Sequence, residues 1–171
     1  MNIFKLISNK FSLKYIFSLL KPNRDADTWS KEERNNFVAM HSGNTVIYRY
    51  NDKSVPPQYH RSYTITVTIE KIYVSINSYG NILLKKTLPI SLENYQSLIT
   101  TLIGLNIKKC EEVNNYPMPG SSSSYLNICI GKEFEVVGNT NVLEGDVGMA
   151  IKIFIALVPK LDKWINSTRK H

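Results

Sequence analysis

Between Ser62 and Ile90 the chain reads SYTITVTIEKIYVSINSYGNILLKKTLPI, and that alternation leaves few folds open. Tyr63, Ile65, Val67 and Ile69 fall on one side of an extended chain, and Ser62, Thr64, Thr66 and Thr68 on the other. A period of two with one apolar and one polar side is a strand with one buried face. Glu70 and Lys71 give a short reversal, after which Ile72, Val74 and Ile76 form the apolar side of the next strand. SYGN at 78–81 is a turn, and ILLKKTLPI is a further strand ending at Pro89. Connections this short force neighbouring strands to pair antiparallel, as a meander.

Helical spacing brackets the meander. Ser30 and Glu33 have the capping-box separation, which predicts a short helix over about 31–40, and SGN at 42–44 is a turn. TVIYRY at 45–50 is predicted to be the first strand. After the meander, Ser91 is a natural N-cap; Leu92, Tyr95, Leu98, Ile99, Leu102 and Ile103 repeat at helical spacing until Gly104. Asn106 to Cys110 reads as a short extended piece, and NNYPMPGSSSS, which ends at Ser124, as a long loop. Two short strands are expected at 125–130 and 132–138, joined around Gly131. A last helix is expected from Asp146 to Val158, with Pro159 opening a final turn through Trp164. The order predicts an α+β fold: an antiparallel β-meander sheet with helices packed on one face, plus an N-terminal amphipathic helix. With 171 residues, 43% of them hydrophobic, one domain over 25–171 preceded by the helical segment 1–24 is the expected organisation.

Charge is concentrated at the two ends of the chain. The formal net charge is +7; residues 1–24 hold Lys5, Lys10, Lys14, Lys21 and Arg24 and no acid, and residues 160–171 are also basic. The rest is close to neutral, which disfavours a nucleic-acid partner, because phosphate contacts need a basic face on the folded body. Asn9, Lys10 and Lys14 interrupt the apolar run of MNIFKLISNKFSLKYIFSLLKP, so it fits neither an export signal nor a transmembrane helix. Phe4, Ile7 and Phe11, then Leu13, Ile16, Phe17 and Leu20, recur at helical spacing before Pro22. Such a basic amphipathic helix lies on an anionic membrane, on its own domain, on a partner, or on a second copy in a homodimer. The place expected for the chain is the cytoplasm, with or without a peripheral hold on the membrane.

Motifs for chemistry are sparse. Cys110 and Cys129 have no CxxC spacing, so no zinc or redox motif is expected; they read as two buried free thiols, with a single disulfide as the alternative if the chain is exported. No His, Cys and acid set has metal-ligand spacing, so no metal or cofactor is expected. GSSSS at 120–124 is not a nucleophile elbow, and the carboxylate pairs Glu111–Glu112 and Glu133–Glu135 read as surface charge. EGDVG at 144–148 reads as a turn into a helix.

The densest group of versatile side chains is in SVPPQYHRSY at 54–63, where Pro56 and Pro57 stiffen a loop carrying Tyr59, His60 and Arg61. Tyr and Arg are the commonest interface anchors, and a histidine such as His60 is the side chain type that can titrate near neutral pH. These three are the candidate binding residues; the alternative is that they pack and bond within their own loop. No catalytic residue is assigned. The leading expectation is a non-enzymatic protein acting through contact with another protein, of immunity, adaptor or accessory type. The alternatives are a peripheral membrane protein held by residues 1–24, and an enzyme with an unorthodox site around His60.

Overall fold

The computed structural model describes residues 30–52, 55–105, 122–130, 134–140 and 145–169. The expected N-terminal helix over 1–24, Cys110 and the Glu111–Glu112 pair lie outside them. Helix α1 (Lys31–His41) leads into strand β1 (Thr45–Asp52); a single 3-10 turn (Pro57–Tyr59) precedes β2 (Ser62–Val67), β3 (Lys71–Ser78) and β4 (Asn81–Pro89). Helix α2 (Leu92–Gly104), strands β5 (Ser122–Ile130) and β6 (Phe134–Thr140), and helices α3 (Gly145–Ala156) and α4 (Leu161–Ser167) follow.

Among the described residues the sheet has six strands in the order β4-β3-β2-β1-β5-β6. Every neighbouring pair is antiparallel. The meander β1–β4 thus runs outward from β1 in one direction, and the β5–β6 hairpin returns to the free side of β1. The register places Tyr48 between Ile65 of β2 and Leu126 of β5, and Val46 between Val67 and Ile128. All six are buried and belong to one apolar cluster. The helices close that cluster from the same side, α2 with Tyr95, Leu98, Ile99 and Leu102, α3 with Ile151, Ile153 and Phe154, and α4 with Leu161 and Ile165. Burying one side chain of this size contributes about 1.5–3 kcal/mol, so the sheet–helix layer carries most of the stability.

The opposite face is mixed, with Ile47 and exposed Tyr73 in line with Thr66. Thr64, Thr66 and Ser75 are half-buried there, and the Arg49 guanidinium sits 5.5 Å above the ring centre of Tyr125.

Local signals explain the element ends. Ser30 Oγ accepts from Glu33 N at 3.2 Å while Ser30 N donates to Glu33 Oε2 at 2.7 Å, a reciprocal capping box. Ser91 Oγ accepts from Asn94 N at 3.3 Å and starts α2.

Several boundaries differ from expectation. The serine run is not all loop: Ser122, Ser123 and Ser124 open β5 opposite Asp52, Asn51 and Tyr50. Two specific bonds override the weak strand preference of serine: Ser122 Oγ donates to Asp52 Oδ1 at 3.1 Å, and buried Ser124 Oγ lies 3.3 Å from the Tyr48 hydroxyl. Strand β6 is two residues later than the 132–138 expected, and α3 stops at Ala156 because the chain turns through Val158 into a separate α4.

Candidate functional site

The loop from β1 to β2 carries all three candidate residues to one end of the sheet, but with different exposures. Tyr59 closes the 3-10 turn through Tyr59 N donating to Pro56 O at 2.9 Å, and its side chain is 53% exposed. His60 and Arg61 are only 3% and 7% exposed.

Arg61 ties the loop to the end of α4. Its Nε donates to Thr168 Oγ1 at 2.9 Å and its Nη2 to Thr168 O at 2.6 Å. Nη1 donates to His60 O at 2.6 Å and Gln58 O at 3.3 Å. The acceptors named are three carbonyls and a hydroxyl, and Thr168 caps α4, where the helix dipole places partial negative charge. Burial, and then the charge of Arg169, push the Arg61 pKa down; arginine remains a cation at neutral pH all the same.

His60 sits in a polar nest made by the strand ends. Its Nε2 is 3.1 Å from Asn51 Oδ1 and 3.3 Å from Ser62 Oγ, and Ser62 Oγ itself donates to Asn51 Oδ1 at 2.6 Å. An amide oxygen only accepts, so Nε2 carries the imidazole proton. Both protons therefore point at the same oxygen. A base that activates a serine must offer it a lone pair, and Nε2 here has none to offer. The chemistry of this group is orientation of the ring.

What the ring supports is Tyr79. The Tyr79 and His60 rings stack with centres 4.3 Å apart and planes 24° apart, yet Tyr79 is 64% exposed. Tyr79 and Gly80 are the two central residues of the β3–β4 hairpin, with Ser78 opposite Asn81. Their φ values are +48° and +87°. Both positive angles define the hairpin turn that matches strand twist, and its first position is ordinarily Asn, Asp or Gly. A bulky aromatic there is strained by about 1–3 kcal/mol. The stack on His60 offsets part of that.

Sequence reasoning found Tyr59, His60 and Arg61 but missed Tyr79, Asn51, Ser62 and Thr168. For Tyr79 a signal was present: in SYGN a tyrosine stands where a two-residue hairpin favours asparagine. For Thr168, which is 107 residues from Arg61, no local signal exists.

Elsewhere, Cys129 is a half-buried free thiol on β5. Among the described residues no three His, Cys, Asp or Glu side chains gather as a metal site, and no helix is long and apolar enough to cross a membrane. A comparison with known protein families finds no matching family model, and no curated protein is a significant match.

Proposed function

We propose that this chain is a non-enzymatic domain, of immunity, adaptor or accessory type, that works by protein contact through Tyr59 and Tyr79. The observation that carries the reading is Tyr79: an aromatic ring mostly open to water, on strained backbone, seated on a buried and hydrogen-bonded histidine. Exposed tyrosines that are already rigid lose little conformational entropy on binding, which is why such residues anchor interfaces. In this reading Tyr59 and Tyr79 touch the partner, while His60 and Arg61 hold them in place. The proposed location is the cytoplasm.

The test is a paired pull-down from the native source with the full chain and the Tyr59→Ala, Tyr79→Asn double variant, soluble and membrane fractions kept apart. A soluble protein retained by the full chain and lost from the variant is the expected result. Equal retention by a variant that is still folded by circular dichroism would end this reading.

A second reading rests on the five cations and the apolar repeat of residues 1–24: a peripheral hold on an anionic membrane.

A further inference from the structure

Among the described residues, strand β4 is an end strand of the sheet. Leu84 and Leu88 pack on the apolar cluster yet stay half-exposed, because no described strand lies beyond them. Ile82 and Leu83 are exposed. Lys85 and Lys86 follow, both exposed, and Lys71 of β3 is exposed opposite Pro89. The exposed run begins at Tyr79 itself, so the aromatic end of the sheet passes directly into this edge.

Hydrogen bonds fix which backbone groups the edge offers. Thr68 N donates to Lys71 O, and Ile90 N donates to Glu70 O. In an antiparallel ladder bonded pairs alternate with unbonded ones. Glu70 and Ile90 are a bonded pair, so Ile72–Leu88, Val74–Lys86 and Ile76–Leu84 are bonded as well. Lys85 and Thr87 then turn their N–H and C=O groups away from β3. Pro89 stands at the next outward position, where a missing N–H takes no bond from the fold.

We infer that β4 receives an extended acidic segment of the partner protein as a seventh strand. This names the partner chemistry of the site proposed above and rests on that reading. The added strand satisfies the outward groups of Lys85 and Thr87, finishes the burial of Leu84 and Leu88 with its apolar side, and brings the carboxylates of its other side to Lys85. Strand addition of this kind takes its affinity from main-chain bonds and its selectivity from side chains. Lysines on an edge repel cationic strands and keep it from pairing at random. They also oppose a second copy, since β4 paired antiparallel with itself sets its central lysines against their own kind.

The probe is a fluorescein-labelled nine-residue peptide alternating valine and glutamate, compared with its valine–lysine counterpart on the full chain. The glutamate peptide is expected to raise fluorescence anisotropy, and the lysine peptide is not. Bound peptide should slow hydrogen exchange at the Lys85 and Thr87 amides at least tenfold. Thr87→Pro removes an outward N–H without removing a ladder bond, so it should abolish binding with the circular dichroism unchanged. Lys85→Glu should reverse the preference between the peptides. No anisotropy change with the glutamate peptide at low salt, or undiminished binding by folded Thr87→Pro, overturns the inference. So does a concentration-dependent dimer that protects the same two amides without peptide. If the edge fails in this way while the tyrosine variant still loses its soluble partner, the contact reading stands without the added strand. If peptide binding is kept and the tyrosine variant loses nothing, the edge stands and the aromatic reading falls.

Discussion

Replacing Arg61 by alanine removes a guanidinium from between the carbonyls of its own loop and the last turn of α4. Thr168 O and His60 O would each lose a bond of 2.6 Å. Charge-assisted bonds of this kind contribute about 1.5–3 kcal/mol each, with shared strain relief reducing the sum. Arg61→Ala is therefore expected to lower unfolding free energy by about 2–4 kcal/mol, read from urea denaturation. Arg61→Lys should recover less than half, since an ammonium cannot span Thr168 Oγ1, Thr168 O and the loop carbonyls at once. An unfolding midpoint unchanged in Arg61→Ala would refute this account of the residue. Arg61 also shows where residue-scale reading of the sequence stopped. Two prolines and the run Tyr-His-Arg marked the loop as special. Which of the three faced water depended on Thr168, Asn51 and Tyr79, residues that meet the loop only after the sheet has formed.

At the scale of elements, α1 docks on the body partly through aromatic rings. Its capping box sets its start, and its contact with the body includes Phe37 and His41, which meet Tyr95 of α2 at ring-centre distances of 6.3 Å and 5.9 Å. Asn44 Nδ2 donates to His41 Nδ1 at 2.7 Å, so the ring must be neutral there, and burial holds the His41 pKa below 6.5. Tyr95 faces it with its own pKa pushed up to about 12 by burial, so it stays uncharged near neutral pH. The unfolded chain then binds the proton more readily than the folded one. The stability contributed by neutral His41 is fully present above pH 6.5 and is lost as pH falls below that value toward the folded pKa. The melting temperature should drop between pH 7.5 and 5.5, and His41→Gln should flatten that part of the curve. Parallel curves for the two proteins would show that α1 docking is insensitive to the proton. Elements with a clear period were legible in the sequence: the capping box, the threonine-lined strand and the helix after Ser91 all stand where the residues put them. Serines 122–124 were not, because their strand is held by Asp52 and Tyr48 from β1 and not by any preference of serine.

On the scale of the whole molecule, the meander was readable from its turns, but the placement of β5 beside β1 was not. A long connection between α2 and β5 leaves either edge of the meander open to the returning hairpin, and only the packed result selects one. That result bears on residues 1–24. Among the described residues, the apolar cluster of buried side chains runs from Val46 to Ile165, with Phe37 at its margin. A chain starting at Asp25 keeps every residue of that cluster and is expected to unfold cooperatively within about 3 °C of the full chain, a shift of roughly 1 kcal/mol for a domain of this size. The five cations it lacks should matter at an anionic surface instead, where each Lys or Arg contributes about 1 kcal/mol. Cosedimentation with phosphatidylserine vesicles should retain the full chain at low salt and release it as the screening length shrinks from about 10 Å at 0.1 M to about 3 Å at 1 M. The shortened chain should stay in the supernatant throughout. Absence of the full chain from the vesicles at low salt would remove the membrane reading. A fall of ten degrees or more in the shortened chain would place the segment on the domain itself, where exposed Val38 and Met40 of α1 offer apolar side chains. The two results are exclusive in energy: an apolar stripe already buried on its own domain cannot enter a bilayer without giving up that burial, so a large loss of stability predicts weak vesicle binding, and strong vesicle binding predicts little loss.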